Sequence, residues 1–127
     1  MTSNAYADGN GPSYAYSLAG RLATRTWARG VTTSYSYDNA GSLANTMYSD
    51  GTPAVTNNYD RLGRLYSVTC AGSTNIFTYD LANDVLAESY SGGILNGLLV
   101  TNGFDLYLRR TNLSVFNGAS LLASTTY

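Results

Sequence analysis

Five seven-residue segments of one kind recur along the chain, and their spacing restricts the fold more than any other feature. They are Tyr16-Ser-Leu-Ala-Gly-Arg-Leu22, Tyr37-Asp-Asn-Ala-Gly-Ser-Leu43, Tyr59-Asp-Arg-Leu-Gly-Arg-Leu65, Tyr79-Asp-Leu-Ala-Asn-Asp-Val85 and Phe104-Asp-Leu-Tyr-Leu-Arg-Arg110. Their first residues lie 21, 22, 20 and 25 positions apart. A near-constant period of this length marks an array of one supersecondary unit, in which each repeat rests on its neighbours.

Each segment reads as a turn between two strands. The aspartate (Asp38, Asp60, Asp80, Asp105) can accept a hydrogen bond from a backbone N–H two residues on, which nucleates an Asx-turn. Gly20, Gly41 and Gly63 suit a positive φ three residues after the turn begins, and Asn83 tolerates the same conformation. The aromatic before the turn and the aliphatic six residues later then face each other across an antiparallel pair: Tyr16 with Leu22, Tyr37 with Leu43, Tyr59 with Leu65 and Tyr79 with Val85. Phe104 with Arg110 departs from that pattern, as does Leu108 at the glycine position. Arg21, Arg64 and Arg110 follow the turns and are expected to pair with nearby aspartates or to stack on tyrosine rings.

A second series of turn signals falls between the first: Arg29-Gly30, Asp50-Gly51, Ala71-Gly72, Gly92-Gly93 and Asn117-Gly118. Asp-Gly, Gly-Gly and Asn-Gly are strong two-residue hairpin signals. The runs between turns alternate with period two: Tyr35 and Tyr37 against Ser34 and Ser36, Tyr66, Val68 and Cys70 against Leu65, Ser67 and Thr69, Phe77 and Tyr79 against Ile76 and Thr78. About ten strands of about six residues follow. Ile94 to Val100 is the one long apolar departure, with Asn96-Gly97 read as a kink or longer loop. The expected fold is all-β, an antiparallel meander of tandem hairpins in one array over residues 1–127, forming a twisted, curved sheet. Such a sheet is open or joined end to end with others, the alternative being a small closed barrel.

Composition agrees and excludes several function classes. Lysine, glutamine and histidine are absent and Glu88 is the single glutamate, while the 12 tyrosines and a 44% hydrophobic fraction argue against disorder. Seven arginines against eight acids give a net charge of -1, without the basic excess that a nucleic-acid backbone or anionic membrane attracts. Met1 to Ala5 does not read as the start of a signal peptide, and no apolar run is long enough for a membrane-spanning helix. A single cysteine, Cys70, cannot form an internal disulfide.

Catalysis lacks its usual groups. Without histidine or lysine, acid–base chemistry would fall to the turn aspartates, Glu88, tyrosine or Cys70, and recurrence in turns already accounts for the aspartates. Asp80, Asn83, Asp84 and Glu88 gather oxygen atoms around one turn, but in neither known calcium-loop spacing, so no metal site is expected. No P-loop, dinucleotide fingerprint or nucleophile elbow occurs, and no cofactor is expected. Tyrosines and Trp27 could instead stack on sugar rings, although a sheet face is the commoner destination of such side chains.

The Tyr-Asp-x-x-Gly-Arg-Leu pattern, complete in Tyr59 to Leu65, resembles the YD repeats of the Rhs family: bacterial Rhs proteins, insecticidal toxin-complex shells and teneurins. The similarity covers nearly the whole chain and fades after Val85. It implies a β-sheet wound into a hollow shell that encloses a polypeptide or displays a surface, secreted or held at the cell surface. The family's autoproteolytic Asp-Pro-x-Gly-Leu signature is absent. The expected role is a non-catalytic structural module, associating with itself head to tail in shells or filaments, or with neighbouring repeats of a longer shell. A carbohydrate- or cell-surface-binding module using exposed tyrosine, Trp27 and asparagine is the alternative.

Overall fold

In the computed structural model, residues 2–3 and 11–127 are described, residues 2–3 as backbone only. Among the described residues all regular structure is β. The strands are β1 (Thr2–Ser3), β2 (Ser13–Tyr16), β3 (Leu22–Thr26), β4 (Thr32–Tyr37), β5 (Leu43–Tyr48), β6 (Val55–Tyr59), β7 (Leu65–Cys70), β8 (Ser73–Tyr79), β9 (Val85–Ser91), β10 (Leu98–Phe104), β11 (Arg110–Asn117) and β12 (Ser120–Thr126). Among the described residues, twelve strands thus replace the ten or so expected, all between two and eight residues long. Sheet order follows chain order, so the fold is a pure meander. β1 and β12 each have one neighbour, which makes the sheet open and excludes the small barrel.

The chain divides into two compact units, Met1–Asn57 and Asn58–Tyr127. In the first, directly opposed residues share a face, so register sorts the side chains. Tyr14, Arg25, Thr33 and Tyr48 form one row across four strands, with Tyr35 and Thr46 beside it. Ala15, Thr24, Ser34 and Met47 form a row on the other face. The second unit repeats the division: Ser67, Ile76, Ser89, Leu99, Phe116 and Leu121 line up on one face. Val68, Asn75 and Tyr90 start the corresponding row on the opposite face.

Neither unit has a hydrophobic interior. Among the described residues no apolar side chain is buried, and the most enclosed side chains are polar: Thr33, Ser67, Thr46 and Ser114. A single sheet has nothing to press against. Most residues of β2 to β11 are only partly covered.

The turns that order the strands are of two kinds. In the first unit the turns after β2 and β4 stand at one rim and those after β3 and β5 at the other; in the second unit the turns after β6, β8 and β10 stand at one rim and those after β7, β9 and β11 at the other, because a meander reverses direction at each turn. On the second rim, Ala71 and Gly72 both have positive φ (51° and 76°), as a two-residue type I′ hairpin requires. The β11–β12 turn centres on Gly118 and Ala119, one residue later than the Asn-Gly pair suggests, with Asn117 opposite Ser120. Gly92 to Gly97 forms one loop, closed by Gly97 N–H to the Tyr90 carbonyl (2.9 Å) and Gly92 N–H to Asn96 Oδ1 (2.8 Å).

Candidate functional site: the motif turns and their latches

All five motif turns share one hydrogen-bond pattern. The first turn residue donates its N–H to the carbonyl four residues on and accepts at its own carbonyl from the N–H three residues on. The pairs are Ser17/Arg21 with Gly20, Asp38/Ser42 with Gly41, Asp60/Arg64 with Gly63, Asp80/Asp84 with Asn83, and Asp105/Arg109 with Leu108. Trp27/Val31 with Gly30 builds the same turn on the opposite rim. The residue three positions after the turn's first is left-handed throughout, with φ of 73° at Gly20 and at Asn83, 93° at Gly41, 78° at Gly63 and 60° at Leu108. This is a tight turn closed by a one-residue bulge. Beyond the bulge Tyr16 stands opposite Leu22, Tyr37 opposite Leu43, Tyr79 opposite Val85 and Phe104 opposite Arg110.

The aspartates are consumed by these turns. Asp60 Oδ1 accepts the N–H groups of Leu62 (2.9 Å) and Arg64 (3.0 Å), and its Oδ2 accepts Arg64 Nε at 2.7 Å. Asp105 does the same with Tyr107, Arg109 and Arg109 Nε at 2.8, 3.0 and 2.8 Å. Asp80 holds the N–H groups of Ala82 and Asp84, and Asp38 that of Ser42. Where Asp is missing, the Ser17 hydroxyl takes the Arg21 N–H at 3.2 Å. The Arg64 N–H, followed by its guanidinium, holds the Asp60 carboxyl below the usual carboxylate range. Arg109 lowers Asp105 through the same two groups, and the Thr52 hydroxyl and N–H lower Asp50. Such carboxylates are anions spent on backbone donors, poorly placed to move protons.

Arg109, not Arg110, occupies the position that Arg64 holds in the third repeat; the extra arginine in Arg109-Arg110 obscures the alignment. Arg110 instead lies over the Tyr127 ring, 5.8 Å from its centroid.

Successive repeats are tied together by two devices. The first joins a side chain of one repeat to the carbonyl just past the preceding bulge. Tyr37 Oη donates to the Leu22 carbonyl (2.9 Å) and Tyr79 Oη to that of Leu65 (2.7 Å). Asn57 Nδ2 reaches the Leu43 carbonyl and Asn102 Nδ2 that of Val85, both at 3.0 Å. Asn102 thereby supplies the donor that Phe104 lacks. The only sequence trace of these asparagines is their place two residues before Tyr59 and Phe104, and their partner, a backbone carbonyl, has none.

The second device is the arginine after the bulge. Arg64 lies over the Tyr79 ring at 4.5 Å and bonds Asn83 Oδ1 (3.0 Å) and the Asp80 carbonyl (3.3 Å) of the next turn. Arg21 lies over Tyr37 at 5.5 Å, and its guanidinium fills the space where a Cβ on Gly41 would stand. Gly41 is therefore required twice, for its φ and for this contact. The fourth repeat has Asp84 at the arginine's place, so no guanidinium crosses towards the fifth turn, where the bulkier Leu108 stands.

The other candidate groups do not converge. Asn83 is engaged by Arg64, while Glu88 Oε1 accepts from Asn75 Nδ2 (2.5 Å) and Tyr90 Oη (2.7 Å). Glu88, as acceptor and then as a neighbouring charge, raises the Tyr90 phenol together with burial. Among the described residues, no three His, Cys, Asp or Glu side chains come together. Cys70 borders an apolar recess of about 430 Å³ beneath the 92–97 loop, with Val68, Tyr90, Ile94 and Leu95. Trp27 Nε1 donates to Thr33 Oγ1 (3.3 Å), and the Arg25 guanidinium lies 3.5 Å from the ring centroid.

No family model and no curated protein matches the chain. Solved structures do. A chain of the Photorhabdus luminescens Tc holotoxin pore superposes with a TM-score of 0.73 at 15% identity over 98% of this chain. A chain in the crystal structure of TcdB2-TccC3-TEV gives 0.61 at 17% identity over 99%. This chain spans 9% of the length of each. The expected repeat-hairpin fold is thus one that also occurs within these toxin-complex chains.

Proposed function

We propose that the chain is a non-catalytic structural module that extends a β-sheet shell, pairing its open sheet edges with further copies or with neighbouring repeats of a longer shell. The absence of any buried apolar side chain among the described residues carries this reading. A lone sheet with both faces and two edges open gains most of its stability from what it is joined to. The superposition on segments of far longer toxin-complex chains supports the same role, and with it a secreted or surface location. The latches favour extension, because they ask of the next repeat only a Tyr or Asn and of the previous one only a carbonyl.

Sugar binding would need an open aromatic platform, and Trp27, its best candidate, already carries the Arg25 guanidinium on its ring. Size-exclusion chromatography with light scattering, followed by electron microscopy, tests the reading. Rings, filaments or sheets that grow with concentration are expected. A monodisperse monomer at high concentration, with first- and last-strand amides protected from exchange, would overturn it.

A further inference from the structure

β12 is an edge without a guard. It is seven residues long, all of them exposed, and residues 118–127 include no charged side chain. Leu121 and Leu122 stand open on it at 57% and 59%. Soluble proteins usually blunt such a strand with Lys, Pro or a bulge that twists it away. The bulge here lies at Leu122, and Ala123 to Thr126 keep unbroken register with β11. Tyr127 donates its N–H to the Thr111 carbonyl (2.9 Å), so Tyr127 and, by alternation, Thr125 turn their backbone groups inward. Ser124 and Thr126 therefore turn theirs to the open side.

From this we infer that the partner of β12 is the β12 strand of a second copy, related by a two-fold axis. This contact is one form of the edge pairing proposed above and rests on it. Strand length chooses the occupant. In a head-to-tail contact β12 would meet the first edge, which is stepped among the described residues: β1 is two residues long and pairs only with Ser13 and Tyr14. A ladder laid on β1 ends after two residues, whereas a second β12 offers seven. Two copies of one strand run antiparallel about a two-fold axis normal to the sheet. With the axis at Ser124, that residue faces its own copy and the ladder runs between Leu122 and Thr126 in both chains. Like charges directly opposite each other would oppose such self-pairing, and this strand has none. Being isologous, the contact closes at a dimer, and growth beyond it falls to the first edge.

Spin labels tell the two arrangements apart. One nitroxide is placed on each copy through Thr125→Cys in a Cys70→Ser background. In the two-fold pair the labels sit on adjacent strands, and a separation within about 20 Å is expected in the associated protein. Association with only longer separations would overturn the inference and leave the head-to-tail form of edge pairing standing. A wild-type chain that stays monomeric at hundreds of micromolar ends both. Should the labelled variant not fold, sedimentation velocity on Ser124→Pro decides the matter. That change removes an N–H that faces outward and spares the bonds to β11, at a place where an edge strand tolerates proline. The dimer dissociation constant is expected to rise at least tenfold, and unchanged association of the folded variant would overturn the inference.

Discussion

Leu108 occupies a left-handed backbone, φ 60°, that glycine fills in three of the other four motif turns. A non-glycine residue there carries about 1–2 kcal/mol of steric strain, and the side chain is exposed enough to lose little on removal. Leu108→Gly is accordingly expected to stabilise the chain by about 1 kcal/mol, read from the denaturant midpoint. The converse change, Gly63→Val at φ 78°, is expected to cost about 1–3 kcal/mol, whereas a valine at Ser42 costs far less. The carboxylates give these turns a pH dependence. Asp60 and Asp105 have folded pKa values below their unfolded ones. In acid the unfolded chain therefore binds more protons. Their contribution is complete above an unfolded pKa of about 3.9, and it disappears as pH falls through the folded values. Thermal melts between about pH 5 and pH 2 are expected to fall with acid. The double variant Asp60→Asn, Asp105→Asn is expected to flatten that fall.

At the level of the hairpin, what is written locally can be read locally. The Asp-to-Gly spacing and the alternation of Tyr35 and Val68 with small polar neighbours are short-range signals, and they name the strands and most turns. Signals fail where two compete or where the partner is backbone. Gly92-Gly93 and Asn96-Gly97 look like rival turns, and only the bonds from Gly97 to Tyr90 and from Gly92 to Asn96 make them one loop. The roles of Asn57 and Asn102 are invisible because a carbonyl has no sequence identity. Nor does the fifth motif announce its turn, since Leu108 and the doubled arginine hide a conformation that Asp105 still nucleates. Removing a latch tests its weight: Tyr79→Phe leaves the ring under Arg64 and deletes the bond to the Leu65 carbonyl. A loss of about 0.5–1.5 kcal/mol is expected in urea titrations.

For the whole molecule, alternation shows that the sheet has two unlike faces but not that neither is covered. Without a buried apolar side chain among the described residues, the proposed role makes the chain's stability depend on what it joins. Its denaturation midpoint is therefore expected to rise with protein concentration, as mass action requires of a fold stabilised by assembly. A midpoint unchanged over a hundredfold range would count against any self-associating role. The order of the strands has a kinetic counterpart. Each strand pairs only with the ones before and after it, so closing one hairpin requires no distant segment to have been made. All-β proteins are slow to fold chiefly because their pairings are remote in sequence. Here the pairings are local, and a nascent chain can set its hairpins one at a time in the order of synthesis, each docking on the last as it emerges.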